Sequence, residues 1–242
     1  MKPMSPVVEL KRTSRTYVLG GEPVPAMRDV DLTFEAGTLV SITGPSGAGK
    51  STLLHLVAGL DKATSGSVIV AGSNLAELRE DQLADFRLKS IGMVFQSFNL
   101  LPAMSAWQNV AIPRLLAGGR LSQAKARATE LLDLVGLGSR AAHRPKELSG
   151  GQMQRVAIAR ALMMNPRIIL ADEPTGNLDS HAGSAILELL RSVALESFDG
   201  SDRRLVVMVT HDRLAAERSD RIVSMLDGRV VADVKAELEE PI

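Results

Sequence analysis

Gly44-Pro45-Ser46-Gly47-Ala48-Gly49-Lys50-Ser51 decides the fold of this chain, because it fits the phosphate-binding pattern G-x-x-x-x-G-K-[ST]. Residues 39–43 before it predict a buried strand, and Ser51 to Leu60 predict a helix with one wide apolar stripe. A loop between a strand and a helix N-terminus points backbone N–H groups and the helix dipole at an anion. Lys50 suits the β- and γ-phosphates, and the Ser51 hydroxyl suits Mg²⁺. This phosphate loop therefore predicts a nucleoside triphosphate site rather than a Gly-rich turn with a solvated lysine.

A second candidate phosphate site is Leu148-Ser149-Gly150-Gly151-Gln152. Val156, Ala159 and Leu162 recur at helical spacing behind it, so a helix is predicted to begin at the serine and the glycines. Such an N-terminus offers unpaired N–H groups and a positive dipole to an anion. Ser149 acting only as a helix N-cap before flexible glycines explains the local pattern equally well.

Two longer runs carry a family resemblance that extends over nearly the whole chain. The run Leu148 to Leu162, LSGGQMQRVAIARAL, and the run Ala171 to Ser180, ADEPTGNLDS, resemble ATP-binding-cassette ATPases of the lipoprotein- and macrolide-exporter type. In that family the stretch Leu148–Gln152 is the signature segment. Met153 departs from the family, because such subunits often carry a second polar residue there. The resemblance implies Mg²⁺-dependent ATP hydrolysis between two copies of the chain, each lending its signature segment to the other's ATP.

The resemblance also implies the fold, an α/β domain spanning residues 1–242. A P-loop NTPase core with a mostly parallel sheet is expected in residues 1–95 and 166–242, together with an N-terminal antiparallel β subdomain. Residues 96–165 are expected to form an inserted α-helical subdomain that carries the signature segment.

Local patterns agree with that division. Short strands alternating with turns are predicted in residues 7–43, and helical character is predicted from Gln96 to Asn165. Strands and helices then alternate, with a helix from Ala182 to Leu195, a strand from Leu205 to Val209 and a hairpin turning at Asp227-Gly228. The polar loop at residues 197–202 has no predicted role.

The strand predicted at residues 168–171 ends in two acidic residues. Asp172 at the strand end suits Mg²⁺ through its water shell, and Glu173 suits positioning and deprotonating the attacking water. In isolation, such a pattern more commonly indicates a strand that ends in solvent-exposed acidic residues with no catalytic role. Beside the phosphate loop and the signature segment, we interpret the pair as catalytic.

The resemblance gives roles to further residues whose types alone are ambiguous. Gln96 is expected to reach the metal and the attacking water, His211 to contact the γ-phosphate, and Asp179 to couple the two sites of a dimer. Thr52 and the residues of the signature segment join the predicted nucleotide-binding set. Tyr17, the single tyrosine, is predicted to stack on adenine, although it also suits an edge strand that covers apolar surface. Structural roles are predicted for the remaining histidines, His55, His143 and His181.

Composition narrows the possible partners. Lys+Arg and Asp+Glu are both 28, so no basic excess points to nucleic acid. The chain has no cysteine, no apolar run near the roughly 18 residues that span a bilayer, and no start typical of a signal peptide. We therefore expect a cytoplasmic protein, peripheral on the membrane, whose membrane permease is a separate chain. A regulatory ATPase of a cell-division or signalling complex stays open, and a cassette acting on ribosomes or DNA is disfavoured.

Apolar residues crowd the segment just after Gln96, and they suit either subdomain core or an exposed groove for a cytoplasmic helix of the permease. They are Phe98, Leu100, Leu101, Pro102, Met104 and Trp107.

Overall fold

The computed structural model describes residues 6–195 and 203–235, so the predicted polar loop at residues 197–202 lies outside the described residues. The larger sheet contains β3 (Thr38–Thr43), β6 (Ile91–Phe95), β7 (Ile168–Asp172), β8 (Leu205–Val209), β9 (Arg221–Leu226) and β10 (Arg229–Lys235). Its strand order is β10-β9-β3-β8-β7-β6, and every pair is parallel except β9 with β10. The mostly parallel core sheet predicted from the sequence is confirmed, and so is the hairpin at Asp227-Gly228.

The smaller sheet is antiparallel and contains β1 (Val8–Leu19), β2 (Glu22–Phe34), β4 (Ser65–Val70) and β5 (Ser73–Asn74) in the order β2-β1-β4-β5. The antiparallel N-terminal sheet is confirmed, but the prediction of several short strands in this region is wrong. β1 and β2 form one long hairpin whose turn is Gly20-Gly21, both at positive φ. Register shifts between Leu10 and Thr16 interrupt the alternation of buried and exposed residues, which is why the long strands look like short ones in the sequence.

The helices are α1 (Lys50–Val57), α2 (Glu80–Ser90), α3 (Ala106–Leu116), α4 (Leu121–Leu134), α5 (Gly150–Ala161), α6 (Ser180–Leu195) and α7 (Arg213–Ala216). Helix α1 ends three residues before Leu60, which is 53% exposed, so the prediction of a helix that extends to Leu60 is wrong. Gly59 takes a positive φ, and the Leu60 N–H turns back to the carbonyl of His55. This wrapping ends the helix.

Helices α3, α4 and α5 follow one another between β6 and β7, but the ten residues from Gln96 to Ser105 are not helical. The predicted helical character therefore begins too early. Phe98 and Asn99 both have positive φ, which a helix cannot accommodate. The buried Asn109 amide then donates to the Leu101, Met104 and Ser105 carbonyls and holds this stretch in a non-helical path.

The core has two apolar layers, one on each face of the larger sheet. In β8, Leu205, Val207 and Val209 face the layer that contains α1, while Val206 and Met208 face the layer that contains α5 and α6. Successive side chains of a strand point to opposite faces, and both faces are covered here. A strand buried on both sides reads as a continuous apolar run, and this explains why β7 and β8 were readily predicted from the sequence.

Candidate nucleotide site

The phosphate loop joins β3 to α1, and two of its glycines are required by close packing. A Cβ atom on Gly44 would lie 2.2 Å from the Met225 carbonyl oxygen, and one on Gly49 would lie 2.4 Å from the Ala26 carbonyl oxygen. Gly44, Gly47 and Gly49 all have positive φ. The loop therefore lies between β9 and β2, and its backbone packs directly against these strands without intervening side chains at Gly44 and Gly49.

Lys50 points back into the phosphate loop that precedes it. Its Nζ atom donates to the carbonyl oxygens of Gly44 (2.8 Å) and Pro45 (3.0 Å). The N-cap of α1 is Gly49, which has no side chain to cap the helix, and no acidic residue occurs in the first turn. The Lys50 ammonium group thus lies beside a helix N-terminus that no side chain caps, and this is an arrangement that suits phosphate oxygens.

Asp172 ends β7 and lies level with Val209 of β8 and Phe95 of β6. Partial burial, and next the negative charge of Glu173, raise the pKa of the Asp172 carboxyl above its usual value. The charges of His55 and Lys50 lower the pKa of Asp172, so this carboxyl lies within electrostatic range of both α1 and the phosphate loop. The structure therefore brings together the predicted phosphate and metal residues from two different strands.

Glu173 and His211 form a direct pair. The His211 Nδ1 atom lies 2.8 Å from Glu173 Oε1, and the histidine side chain is 72% exposed while the glutamate is 18% exposed. Glu173 has a φ of +49° and its N–H donates to the carbonyl of Val209. The pairing follows from topology, because β7 and β8 are parallel neighbours and the residues after their carboxyl ends must meet.

Gln96 is held by a residue to which the sequence analysis gave no role. The Gln96 Nε2 atom donates to Asn177 Oδ1 (3.2 Å), and Asn177 Nδ2 donates to the Gln96 carbonyl (3.0 Å). Asn177 lies in the run ADEPTGNLDS, between Glu173 and Asp179. Its position in that run was the available signal, but an amide in a loop gives no warning of which neighbour it contacts.

The signature segment begins α5. The Ser149 Oγ atom accepts from the Gln152 N–H, and Gln152 Oε1 accepts from the Ser149 N–H, which is a capping box. Ser149 is therefore an N-cap, while its role toward a second nucleotide stays a prediction. Cβ atoms on Gly150 and Gly151 would approach Leu178 and Ala182. Within the described part of the chain, no hydrogen bond or ion pair joins this segment to the phosphate loop.

Tyr17 and Asp179 both have local partners. The Tyr17 hydroxyl donates to Asp61 Oδ2 (2.7 Å), and the Arg15 guanidinium lies 4.5 Å from the centre of its ring. One face of the ring is thus covered, and stacking of adenine on the tyrosine stays a prediction. The Asp179 carboxylate accepts from the Ala182 N–H (2.8 Å) and caps α6, which explains why that helix begins two residues earlier than predicted.

A comparison with protein families identifies this arrangement. The profile described as "ABC transporter" matches residues 27–176, which include the phosphate loop, the signature segment and the acidic end of β7. The chain belongs to the ABC transporter family. It is an ATP-binding ABC cassette, as the resemblance in the sequence implied.

Curated relatives of this cassette fall into two kinds. It is 49% identical to the lipoprotein-releasing system ATP-binding protein LolD of Anaeromyxobacter dehalogenans, covering 95% of this chain and 94% of the relative. It is 46% identical to the pyoverdine export ATP-binding/permease protein PvdT of Pseudomonas savastanoi, covering 98% of this chain but 35% of that protein. The cassette thus spans about a third of the length of relatives of the second kind.

Solved structures show the same fold. The bacterial ABC transporter cassette MJ0796, described as dimeric, is 42% identical to this cassette with a TM-score of 0.84, covering 94% of this chain and 98% of MJ0796. A second structure of MJ0796 holds ADP and Pi in a post-hydrolysis state and gives a TM-score of 0.83.

Proposed function

We propose that this cassette is the Mg²⁺-dependent ATP-hydrolysing subunit of a transporter and powers a membrane permease on a separate chain. The observation that carries the proposal is the meeting of the phosphate loop, Asp172 and the Glu173–His211 pair at the carboxyl ends of adjacent parallel strands. Binding and proton-transfer groups gathered at this edge suit phosphoryl transfer, which depends on positioning and charge more than on covalent chemistry.

Each group has a proposed role in that chemistry. Lys50 and the loop N–H groups bind the β- and γ-phosphates. The Ser51 hydroxyl, the Asp172 carboxylate and the Gln96 amide oxygen are hard oxygen donors that suit Mg²⁺, and they are proposed to hold it. When bound, Mg²⁺ neutralises developing charge on the phosphate oxygens.

Glu173 is proposed to accept the proton of the attacking water. His211 can donate through Nδ1 to the Glu173 carboxylate at 2.8 Å, which orients that carboxylate and leaves its second oxygen for the water. The exposed ring of His211 also faces outward, where it can sense whether a γ-phosphate is present.

The permease is proposed to dock at a cleft of about 400 Å³ between β6 and the helices α3 and α5. Its lining comes from both proposed parts of the domain, the core (residues 1–95 and 166–242) and the helical subdomain (residues 96–165). The Arg160 guanidinium on its wall donates to the carbonyls of Phe98 and Asn99, so the cleft is tied to the chain just after Gln96. In that apolar segment Leu101 and Met104 are exposed, whereas Leu100 and Trp107 pack against the core. None of its six apolar residues lines the cleft itself. The apolar segment is therefore only partly core, which supports a docking role.

No helix among the described residues is long and apolar enough to cross a membrane. Attachment on the cytoplasmic face through the permease is accordingly part of the proposal. The names of LolD and PvdT both describe proteins of release or export, and this supports transport over the alternative of a regulatory ATPase that moves nothing.

The proposal is tested by phosphate release from ATP with and without Mg²⁺. Glu173→Gln is expected to lower turnover about 10²–10⁴-fold while nucleotide binding survives, because only the proton acceptor is lost. Lys50→Ala is expected to weaken nucleotide binding itself, and Lys89→Ala, which removes an exposed lysine of α2, is the matched control. Near-normal turnover in Glu173→Gln would remove the role assigned to Glu173. Identification of the membrane protein that co-purifies would then separate transport from regulation.

A further inference from the structure

The neutral total charge of the chain hides an uneven distribution. Between Asp85 and Glu130 the sequence has no acidic residue, and it has six basic ones: Arg87, Lys89, Arg114, Arg120, Lys125 and Arg127. The last four lie on the helical hairpin formed by α3 and α4. Positive charge is therefore concentrated in the part of this hairpin that precedes Glu130 in α4.

The end of this hairpin combines the positive charge with exposed apolar side chains. We define the hairpin tip as residues 114–121, where Leu115, Leu116 and Leu121 are 37%, 75% and 59% exposed. Arg114 and Arg120 lie at its two ends and are also exposed. Within residues 6–195 and 203–235, neither arginine side chain forms a hydrogen bond or an ion pair. Their charges are thus not compensated locally.

A cleft of about 320 Å³ lies beside the tip, between the hairpin and the turn after α5. The cleft is lined by Arg114, Gln123, Arg127, Met163, Met164 and Asn165. None of these lining residues is a carboxylate. Arg127 also pairs with Glu130 at 3.1 Å on the hairpin. Guanidinium groups beside methionine side chains suit a phosphate ester that carries an apolar chain.

We propose that the hairpin tip and this cleft bind the surface of an anionic phospholipid bilayer. Basic residues near an anionic leaflet gain electrostatic attraction, and leucines among them can enter the boundary between headgroups and acyl chains. An acidic protein surface would satisfy the arginines but would leave less reason for the three exposed leucines that neighbour them in the tip. Pro113, adjacent to the tip, lines the proposed permease cleft, so the two surfaces adjoin.

Lipid binding needs neither nucleotide nor permease, so it is tested on the purified chain by flotation with vesicles. Phosphatidylcholine vesicles with and without phosphatidylglycerol are compared at low and high salt. Binding is expected only to the anionic vesicles and is expected to weaken with salt. Arg114→Gln with Arg120→Gln is expected to weaken it roughly tenfold or more. Leu116→Ser with Leu121→Ser is expected to weaken it by a similar roughly tenfold factor.

Arg229→Gln and Val231→Ser are the matched controls, because both residues are exposed on β10. Thermal unfolding and ATP hydrolysis in solution are expected to be unchanged in all four variants, so a loss of lipid binding is separable from a failure of the proposed function. Equal binding to neutral vesicles, equal losses in the controls, or no vesicle binding at all would overturn the proposal. If polyglutamate or RNA displaces the vesicles and the leucine substitutions do not change vesicle binding, the tip binds an acidic macromolecule instead.

Discussion

At the scale of single residues, Asp172 and Glu173 are two adjacent carboxylates at one strand end. Burial, together with the charge of Glu173, raises the pKa of Asp172, so the folded chain holds this proton more tightly than the unfolded chain does. A group with a raised pKa contributes stability that is complete below its unfolded pKa and is lost as pH rises through its folded pKa. At a pH above its folded pKa, the ionised Asp172 therefore lowers the stability of the nucleotide-free protein.

Asp172→Asn is accordingly expected to unfold at a higher temperature than the wild type at about pH 7, with the difference closing as the pH falls to about 4. The same substitution is expected to abolish Mg²⁺-dependent hydrolysis, because the amide is a poor replacement for a carboxylate near the metal. Thermal unfolding at several pH values, without nucleotide, measures the first effect. A variant that is less stable than the wild type at neutral pH would show that other groups of the fold compensate the negative charge of Asp172.

At the scale of elements, helix α5 connects the signature segment to the loop that carries Glu173. Gln154 is fully buried on this helix, and its Nε2 atom donates to the carbonyl of Pro174 (2.7 Å), the residue after Glu173. Among the described residues, its Oε1 atom has no hydrogen-bond partner. Arg160, two turns later, holds the carbonyls of Phe98 and Asn99. One helix thus touches the neighbours of both Glu173 and Gln96.

Gln154→Met keeps the volume but removes the hydrogen bond to Pro174. Since the substitution also removes an unpaired buried oxygen, we expect a change in the free energy of unfolding within about 1–2 kcal/mol. We expect kcat for ATP hydrolysis to fall by roughly 10-fold with little change in KM, because the position of Glu173 and not substrate binding is altered. Met153→Gln, on the same helix at a partly exposed position, is the control and should behave as wild type. If KM rises while kcat is retained in Gln154→Met, the helix does not act through Glu173.

At the scale of the whole molecule, the phosphate loop and the signature segment lie on one chain, and no hydrogen bond or ion pair among the described residues joins them. The phosphate loop packs against Ala26 and Met225, and the signature segment packs against Leu178 and Ala182. A second copy facing the first head to tail would bring each signature segment to the other's nucleotide and close two equivalent sites. Removal of the γ-phosphate would then open the pair.

We therefore expect the wild type to be monomeric or weakly associated without nucleotide, and Glu173→Gln to form a stable dimer with ATP. Adding Ser149→Arg to Glu173→Gln is expected to abolish the dimer and leave ATP binding to the single subunit nearly intact. Ser122→Arg, which places the same charge on an exposed position of α4, is the control. Light scattering with ATP and with ADP measures both states. A Glu173→Gln variant that stays monomeric at high ATP and protein concentration would mean that a different partner completes the site.

Prediction from the sequence succeeded where the signal is local. The phosphate loop, the buried strands β7 and β8 and the start of α5 each follow from residues within one element, since apolar runs, glycines and caps act over a few positions. It failed where distant groups decide the path. The stretch from Gln96 to Ser105 is non-helical because Asn109 and Arg160 hold its carbonyls, and Arg160 is about sixty residues away in sequence.

By itself the sequence determined the family, the mostly parallel core sheet, and which side chains can bind phosphate or accept a proton. Only the tertiary structure decided which of them meet. Strands β7 and β8 are more than thirty residues apart in sequence, yet their parallel pairing places His211 on Glu173, and the adjacent β6 places Gln96 on Asn177. It also decided that the leucines beside Arg114 and Arg120 are exposed. Contacts of this kind depend on sheet register and helix packing, which no local pattern encodes.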